Sequence, residues 1–327
     1  MPTAEAGLPA RSEIAMRPSV SFHGAVIVVN YNAGTLLARC LRSILETAPG
    51  AQVIVVDNAS TDGSDDVAAA LGSRVTLVRN SRNVGFAAAV NMACSLIRSD
   101  DQFVMFLNPD SWLIEGAADH LASLLTEYPD CAIAAPTMFD QRGRLERNLR
   151  GDPTLLTGLF GRSSLLTRLF PASGAARRNV RTDMTRNQAG SLIDWVSGAC
   201  MMVRRSAFEE VGGFDERYFL YWEDADLCRR LRERGFTIRY APAAQVGHRA
   251  GTCSDSARAL SVRAFHRSVY MYYARHVART RALRAFAWVA LEVRSLLMLA
   301  RMFRRRRYNP ERLDVPAAGS QLRASAD

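Results

Sequence analysis

Several common nucleotide- and metal-binding motifs are missing from this chain of 327 residues. No Walker loop and no GxGxxG sequence follows a predicted strand, which argues against a P-loop NTPase and a dinucleotide-dependent dehydrogenase. The six cysteines are scattered and form no CxxC pair, so we expect buried free thiols rather than disulfides or a zinc site. No secretory signal precedes the first strand, so we expect a cytoplasmic protein.

A long uncharged apolar run is also missing. The most apolar segment, residues 282–302, is interrupted by Glu292, Arg294 and Arg301. A membrane-spanning helix needs about 20 apolar residues with few charges. Because an arginine cluster follows at 304–307, we predict an amphipathic helix at an anionic membrane surface. The alternative is a helix packed on the rest of the protein.

The composition is that of a globular protein, with 48% hydrophobic and 23% charged residues. We predict a loose leader over 1–21, a main domain over 22–255 and a basic helical tail over 256–327. A variable insertion is expected within the main domain, at 140–192. The net charge is +10, which suits anionic lipid, phosphorylated substrates or nucleic acid.

Near-continuous Val/Ile runs alternate with helical segments in the first half of the chain. The predicted strands are 25–29, 52–56, 75–78, 102–107 and 131–136. This pattern indicates an α/β fold with a mostly parallel central sheet flanked by helices. Ligands bind such sheets at the carboxyl ends of the strands. Polar residues lie at these ends: Asn30, Tyr31, Asp57, Asn83, Gly85, Asn108 and Asp110.

The segment 195–235 carries an unusual group of acids. Residues 195–203 predict a buried strand with close backbone approach at Gly198. Four aromatic residues at 218–222 are then followed by Glu223, Asp224 and Asp226 at the start of a helix. Carboxylates at this position cap helices, but three acids after aromatics also suit a partly desolvated general base.

Three further residues are candidates for ligand binding. Asp57, at the end of the second strand, suits recognition of a ribose or base, although its sequence is also that of an ordinary turn. Asp110 follows a strand-stopping proline, where a carboxylate can hold a divalent metal that bridges a diphosphate. His248 lies in a glycine-flanked loop; such a histidine is usually structural, but with a carboxylate it can form a partial metal shell.

Six motifs together resemble those of family 2 glycosyltransferases, in particular the bacterial rhamnosyltransferase-like branch. They are VVNYN (28–32), VVDNASTDGS (55–64), NVGFAAAVN (83–91), LNPDSWL (107–113), the segment 194–236 that contains WEDAD, and GHRAGT (247–252). The resemblance spans residues 24–275. It implies a GT-A fold with a C-terminal helical extension, and inverting transfer of a sugar from a dTDP- or UDP-linked donor.

The resemblance also implies roles for single residues. Asp224 is the implied catalytic base, and Glu223, Asp226 and Trp195 are implied to orient either the acceptor or this base. The implied nucleotide-sugar-binding residues are Val29, Tyr31, Asp57, Asn83, Gly85 and Asp110. Asp110 and His248 are the implied ligands of Mg²⁺ or Mn²⁺. Asn108 replaces the first acid of the family's DxD motif, and 88–90 differ from the family pattern, so we assign no donor contact there.

The expected acceptor is a saccharide or polyprenyl-linked glycan of cell-envelope polysaccharide synthesis. Rhamnose from dTDP-rhamnose is the expected donor sugar in this branch. The tail then predicts peripheral contact with the inner face of the plasma membrane. The alternatives are a sugar nucleotidyltransferase, whose glycine-rich first loop is missing here, and a non-catalytic nucleotide-sugar-binding protein. We expect no nucleic-acid partner, because carboxylates at the strand ends repel phosphates unless a metal intervenes.

Overall fold

The computed structural model describes residues 18–146, 148–153, 189–249 and 258–308. The strands are β1 (Ala25–Asn30), β2 (Gln52–Asp57), β3 (Thr76–Arg79), β4 (Phe103–Leu107), β5 (Ser111–Leu113), β6 (Cys131–Phe139), β7 (Leu149–Arg150), β8 (Trp195–Val196), β9 (Cys200–Arg204) and β10 (Thr237–His248). The helices are α1 (Leu36–Thr47), α2 (Ser64–Ala69), α3 (Phe86–Cys94), α4 (Ala117–Glu127), α5 (Arg205–Glu210), α6 (Glu223–Glu233), α7 (Arg258–Tyr272) and α8 (Arg281–Tyr308), with a 3₁₀ turn at Gly72–Arg74 and a π turn at Tyr273–Val277.

Eight of these strands form one mixed sheet in the order β3-β2-β1-β4-β9-β6-β10-β5. The predicted parallel arrangement is correct for β3, β2, β1 and β4 and for the pair of β6 with β10. β9 overlaps the predicted strand at 195–203 but departs from the parallel pattern, because it runs antiparallel between β4 and β6. The prediction did not include β5, which pairs antiparallel with β10. The sheet is therefore parallel on one side and mixed on the other.

The Val/Ile strands are buried on both faces of the sheet. In β1, Val26 and Val28 belong to one apolar cluster, with α1 and α4. Ala25, Ile27 and Val29 belong to the opposite cluster, with α3 and α6. Since alternate side chains of a strand point to opposite faces, an unbroken Val/Ile run satisfies both layers. Each fully buried Val or Ile contributes about 1.5–3 kcal/mol relative to exposure.

The prediction of one strand over 195–203 was wrong. The run divides at Ser197–Gly198–Ala199: β8 pairs with β7 in a separate two-stranded ribbon, and β9 joins the central sheet. The pairing of β10 with β6 has an irregularity between Ala241 and Gln245.

The helices after residue 258 pack on the main domain. Val269, Tyr272 and Tyr273 of this region form an apolar cluster with Tyr218 and Ala225. In α8, by contrast, most large apolar side chains between 283 and 297 are exposed. Within the described part of the chain, no helix combines the length and apolarity needed to cross a membrane.

Some predictions fall outside the described residues. These are most of the leader (1–17), most of the insertion (154–188), the segment 250–257, which includes Cys253, the end of the tail (309–327) and the side chains of the arginine cluster at 304–307. The other five cysteines are free thiols, as predicted. Burial raises the pKa of the Cys94 thiol to about 12 and that of Cys131 to about 11, which keeps both protonated.

Candidate active site

The ends of β1 and β2 are joined by a polar network. The two strands are in register, so that Asn30 lies opposite Asp57. Asn30 Nδ2 donates hydrogen bonds to Asp57 Oδ1 (2.7 Å) and Ser64 Oγ (2.8 Å), and the N–H of Ser60 donates to Asp57 Oδ2 (2.9 Å). The buried Asp57 carboxylate is thus fixed at the sheet edge, next to Val29 and the half-buried Tyr31.

The third strand end is tied to the acidic segment through Gly85. The N–H of Gly85 donates to Asn83 Oδ1 (2.9 Å), and its φ of +89° favours glycine. A Cβ at Gly85 would lie 2.5 Å from the carbonyl oxygen of Phe219. That carbonyl accepts from the N–H of Phe86 (2.9 Å). The predicted Asn83–Gly85 turn therefore supports the aromatic loop that leads to Glu223.

Asn91, whose role the sequence did not reveal, holds the same loop from α3. Its Nδ2 donates to the carbonyl oxygen of Phe214 (2.9 Å), and its Oδ1 accepts from the N–H of Phe214 (3.0 Å). The side-chain amide thus pairs with both backbone groups of one residue. In the sequence, the only indication of this role was that Asn91 is the last residue of the family motif over 83–91.

The backbone just before α6 is strained. Tyr221 and Trp222 both adopt left-handed conformations, with φ of 67° and 69°. Such conformations cost about 1–3 kcal/mol per non-glycine residue and persist where surrounding packing enforces them. Here the Trp222 ring packs against Trp195 and Tyr272, with ring centroids 6.1 and 5.1 Å apart. This double turn places Glu223 and Asp224 at the first turn of α6.

Asp224 accepts hydrogen bonds from two backbone groups. The N–H of Gly198 donates to its Oδ2 (2.8 Å), and the N–H of Ala225 donates to its Oδ1 (2.7 Å). A Cβ at Gly198 would lie 3.6 Å from Asp224 Cβ, an ordinary contact. The break between β8 and β9 therefore provides a donor for Asp224, because that N–H is not used in a sheet.

Glu223 and Asp224 are neighbouring carboxyl groups, and a negative charge on Asp224 disfavours ionisation of Glu223. Burial raises the pKa of Glu223 well above its usual range, and the Asp224 charge raises it further. Burial also raises the pKa of Asp224, although the N–H groups of Gly198 and Ala225 and the Arg150 charge oppose this. Glu223 Oε2 is buried without a hydrogen-bond partner among the described residues. Burial therefore disfavours the charged form of both acids, and Asp224, which accepts from two backbone N–H groups, is the better stabilised of the two as a carboxylate.

Asp110 and His248 lie together, as predicted. Pairing of β5 with β10 places His248 opposite Ser111, one residue after Asp110. The distance from His248 Nε2 to Asp110 Oδ1 is 3.4 Å, and His248 Nδ1 lies 2.8 Å from Glu146 Oε2. Burial lowers the pKa of His248, but the carboxylates of Asp110 and Glu146 outweigh it and raise the pKa to about 9.

This pair fits part of a divalent-metal site. Two ligands about 2.1 Å from one ion and at a right angle to each other are about 3 Å apart, close to the observed 3.4 Å. Asp110 Oδ1 is buried, and no described group forms a hydrogen bond with it. Across the described ranges, no three His, Cys, Asp or Glu side chains converge as a full metal site. Two protein ligands would thus need oxygens of a bound diphosphate or water to complete the shell.

The residues between β8 and β9 form hydrogen bonds both with Asp224 and with the segment that contains Asp110. The carbonyl oxygen of Ala199 accepts from the N–H of Asn108 (2.9 Å) and from Ser111 Oγ (3.3 Å). The preceding residue, Gly198, donates to Asp224. The Asp224 carboxylate and the residues on either side of Asp110 therefore contact the same chain break between β8 and β9.

Comparisons with known proteins agree with this arrangement. The model of the glycosyl transferase family 2 matches residues 25–212, and the glycosyl transferase family group 2 model matches residues 157–309. The chain belongs to glycosyltransferase family 2.

A relative from Mycobacterium tuberculosis matches nearly the whole chain. This N-acetylglucosaminyl-diphospho-decaprenol L-rhamnosyltransferase is 34% identical over 296 residues, 86% of this chain and 94% of that protein. The rhamnosyltransferase WbbL of Escherichia coli is 29% identical over 58% of this chain and 70% of its own length. The glycosyltransferase studied here thus belongs to the rhamnosyltransferase-like branch of the family.

Two solved structures share the fold. The mannosyltransferase PcManGT of Pyrobaculum calidifontis, in complex with GDP-Man and Mn²⁺, superposes with a TM-score of 0.53 at 15% identity, over 93% of this chain and 86% of that chain. GalNAc-T7 with UDP, GalNAc and Mn²⁺ gives a TM-score of 0.53 at 16% identity, over 77% of this chain and 50% of that chain. The predicted GT-A fold is confirmed.

Asp226 of the glycosyltransferase has contacts that differ from the predicted orienting role. Its buried carboxylate lies 2.6 Å from Arg230 Nε and 2.8 Å from His276 Nε2. Residues two apart on a helix point in different directions, so Asp226 faces the tail while Asp224 faces Gly198. Asp226 is therefore a structural anchor for the π turn that follows α7.

Trp195 stacks on Trp222, which directly precedes the acidic residues, and it also contacts a cation. It is paired with Arg150 across the β7–β8 ribbon, and the guanidinium carbon of Arg150 lies 5.1 Å from the Trp195 ring centroid. The indole Nε1 donates to the carbonyl oxygen of Gly151 (2.9 Å). Arg150 was missed in the sequence because its two-residue strand has no recognisable pattern.

Proposed function

We propose that this glycosyltransferase moves rhamnose from dTDP-rhamnose to a hydroxyl group of a polyprenyl-diphosphate-linked saccharide in cell-envelope polysaccharide synthesis. The observation that carries the proposal is that the Asp224 carboxylate and the segment that contains Asp110 both contact the β8–β9 break. The relative of M. tuberculosis, whose name specifies a rhamnosyltransferase and a lipid-linked sugar diphosphate, supports this choice of substrates.

The chemistry that fits Asp224 is general-base catalysis of a single displacement. The carboxylate takes the proton of the acceptor hydroxyl, and the acceptor oxygen forms a bond to the anomeric carbon. The bond from that carbon to the diphosphate breaks on the opposite face, which inverts the centre and releases the nucleoside diphosphate. A base with a raised pKa accepts this proton more readily, and the burial of Asp224 beside Glu223 raises its pKa.

Residues at the strand ends would bind the donor. Asp57 would contact the nucleobase of the donor, beside Val29 and Tyr31. Asn83 and Gly85 would shape the surrounding pocket. Asp110 and His248 would hold Mg²⁺ or Mn²⁺ together with the diphosphate. A divalent ion there would offset the negative charge of the departing nucleoside diphosphate.

A panel of nucleotide sugars tests the donor. We expect dTDP-rhamnose with Mn²⁺ to raise the Tm of the protein more than UDP-glucose, UDP-N-acetylglucosamine or GDP-mannose. Release of dTDP from dTDP-rhamnose should require a polyprenyl-diphosphate N-acetylglucosamine acceptor. Acceptor-independent hydrolysis, or binding without turnover, would contradict the proposal.

The exposed face of α8 supports a contact with an anionic lipid surface. Phe286 is 70% exposed and Leu296 is 63% exposed, and four further large apolar residues of this helix are at least half exposed: Trp288, Val289, Val293 and Leu297. Arg281, Arg284 and Arg301 give the helix a positive charge that only Glu292 opposes. Apolar side chains with basic neighbours are the pattern of helices that lie in a membrane interface. The protein would then work at the inner face of the plasma membrane.

Sedimentation with vesicles tests this contact. We expect the full chain to bind vesicles that contain phosphatidylglycerol, and the double variant Phe286→Gln/Leu296→Gln to lose most of that binding. The matched control is Leu260→Gln, which changes a half-exposed leucine of α7. Equal binding by all three proteins would rule out this face of α8 as the contact.

A further inference from the structure

The side chain of Glu146 completes a chain of three polar groups. Its Oε2 lies 2.8 Å from His248 Nδ1, and His248 Nε2 lies 3.4 Å from Asp110 Oδ1. All three side chains are at most 20% exposed. The family motifs include Asp110 and His248, whereas Glu146 lies in a segment that no motif covers.

The backbone holds Glu146 in place. The N–H of Glu146 donates to the carbonyl oxygen of Met138 (2.8 Å). The N–H of Asp140 donates to the carbonyl oxygen of Arg144 (2.9 Å). These bonds fold the segment after β6 back along that strand. Because β6 is paired with β10, with Phe139 next to Gly247, the fold brings Glu146 to His248 across 102 residues of sequence.

The contact determines which nitrogen of His248 faces the predicted cation. Glu146 accepts the hydrogen on Nδ1, which leaves Nε2 directed toward Asp110. A carboxylate behind a ligand histidine fixes its ring and tautomer and raises its basicity, and loss of such a partner typically costs about 10–100-fold in metal affinity. The buried Asp110 Oδ1 has no hydrogen bond with the described residues, so a cation between it and Nε2 would satisfy both atoms.

We propose that Glu146 is a positioning residue that orients His248 for a divalent cation bound together with the donor diphosphate. The inference rests on the proposed function, because the diphosphate would supply the remaining ligands. The competing explanation is that Glu146 and His248 form a purely structural pair that closes the segment after β6. Only the first explanation requires cation affinity to depend on Glu146.

Electron paramagnetic resonance of free Mn²⁺, titrated in the presence of dTDP, tests the proposal without requiring turnover. We expect Glu146→Gln to weaken Mn²⁺ binding by about 10-fold or more. Glu146→Asp, which keeps the charge, should lose less affinity and provides a folded variant if Glu146→Gln does not fold. The matched control is Glu209→Gln, an exposed partner of Arg205 on α5, and we expect wild-type affinity from it.

Kinetics give a second readout. If Glu146 acts through the cation, Glu146→Gln should raise the Mn²⁺ concentration for half-maximal transfer while kcat at saturating Mn²⁺ stays near the wild-type value. Unchanged Mn²⁺ affinity in folded Glu146→Gln would overturn the proposal. So would a wild-type protein that transfers sugar but binds no Mn²⁺, an outcome that leaves the proposed function intact. Glu146-dependent Mn²⁺ binding without any transfer would instead reject the function and keep the cation site.

Discussion

Two carboxylates on the first turn of α6 have opposite surroundings. Asp224 faces the β8–β9 break, where it accepts hydrogen bonds from the backbone N–H groups of Gly198 and Ala225. Asp226 faces the tail, where Arg230 and His276 contact it. Burial raises the pKa of Asp224, whereas the pKa of Asp226 is lowered: burial opposes this shift, but the His276 hydrogen bond and Arg230 outweigh it.

Asp224 and Asp226 are two residues apart, yet their surroundings suit one to acid–base chemistry and the other to a structural role. A carboxylate next to cations keeps its charge and is a poor proton acceptor, so Asp226 suits a structural link. A carboxylate among backbone donors and a second acid can change its protonation state, as a base must. The identity of the residue is the same in both cases; the partners decide its role.

Loss of the base should have the largest effect on activity. We expect Asp224→Asn to lower the rate of transfer by about 10²–10⁴-fold, since an amide cannot accept the acceptor proton. Donor affinity, measured by calorimetry with dTDP-rhamnose and Mn²⁺, should stay within a few-fold of the wild-type value. Full turnover by this variant would show that another group is the base.

Loss of the anchor should instead lower stability. Asp226→Asn leaves the guanidinium of Arg230 without its buried counter-charge, and breaking such a pair typically costs about 3–5 kcal/mol. Urea unfolding of both proteins measures this difference.

At low pH the difference in unfolding free energy between the wild-type protein and Asp226→Asn should disappear. Because the folded pKa of Asp226 lies below its ordinary 3.8, its stabilisation is present above that pH and is lost as the pH falls through the folded pKa. The two proteins should therefore converge in strong acid. A constant difference down to the lowest pH at which both fold would mean that the carboxylate charge is not the cause.

The pH profile of transfer should distinguish the two acids at the start of α6. Because the base must be unprotonated and burial raises its pKa, kcat should fall with decreasing pH at a pH above the ordinary 3.8 of an aspartate. Glu223→Gln copies the protonated acid, so the acidic limb should move little and the rate at neutral pH should remain within about 10-fold. A large loss with an unchanged fold would indicate that Glu223, rather than Asp224, takes the proton.

Much of the nucleotide half could be predicted from the sequence. The strands β1 and β2 are Val/Ile-rich and β4 is entirely apolar, with polar residues at or just after their ends. The rule that ligands bind at carboxyl ends therefore placed Asp57 and Asp110 at one edge. These features are local, so hydropathy and turn residues contain the necessary information. The aromatic and acidic residues around Asp224 were equally visible.

The other half depends on contacts between distant residues. The run at 195–203 is mostly apolar, and its break occurs where the N–H of Gly198 donates to Asp224, 26 residues later. Glu146 reaches His248 only because β6 and β10 are neighbours. In α8, hydropathy could not separate the two alternatives, because one side of the helix packs at Leu291 and Leu299 while the other is exposed.

The smallest expected effect concerns the surface ion pair between Arg275 of the tail and Asp215, which precedes α6. Asp215 lies 2.7 Å from Arg275 Nη1 and also pairs with Arg217. The Arg217 hydrogen bonds lower the pKa of Asp215 to about 2, although burial opposes the shift. Both arginines are 40% exposed or more, so solvent screens these pairs, and we expect Asp215→Asn to cost about 1 kcal/mol or less. If the urea midpoint instead fell as far as in Asp226→Asn, the tail would be held by its surface charges rather than by the buried pair.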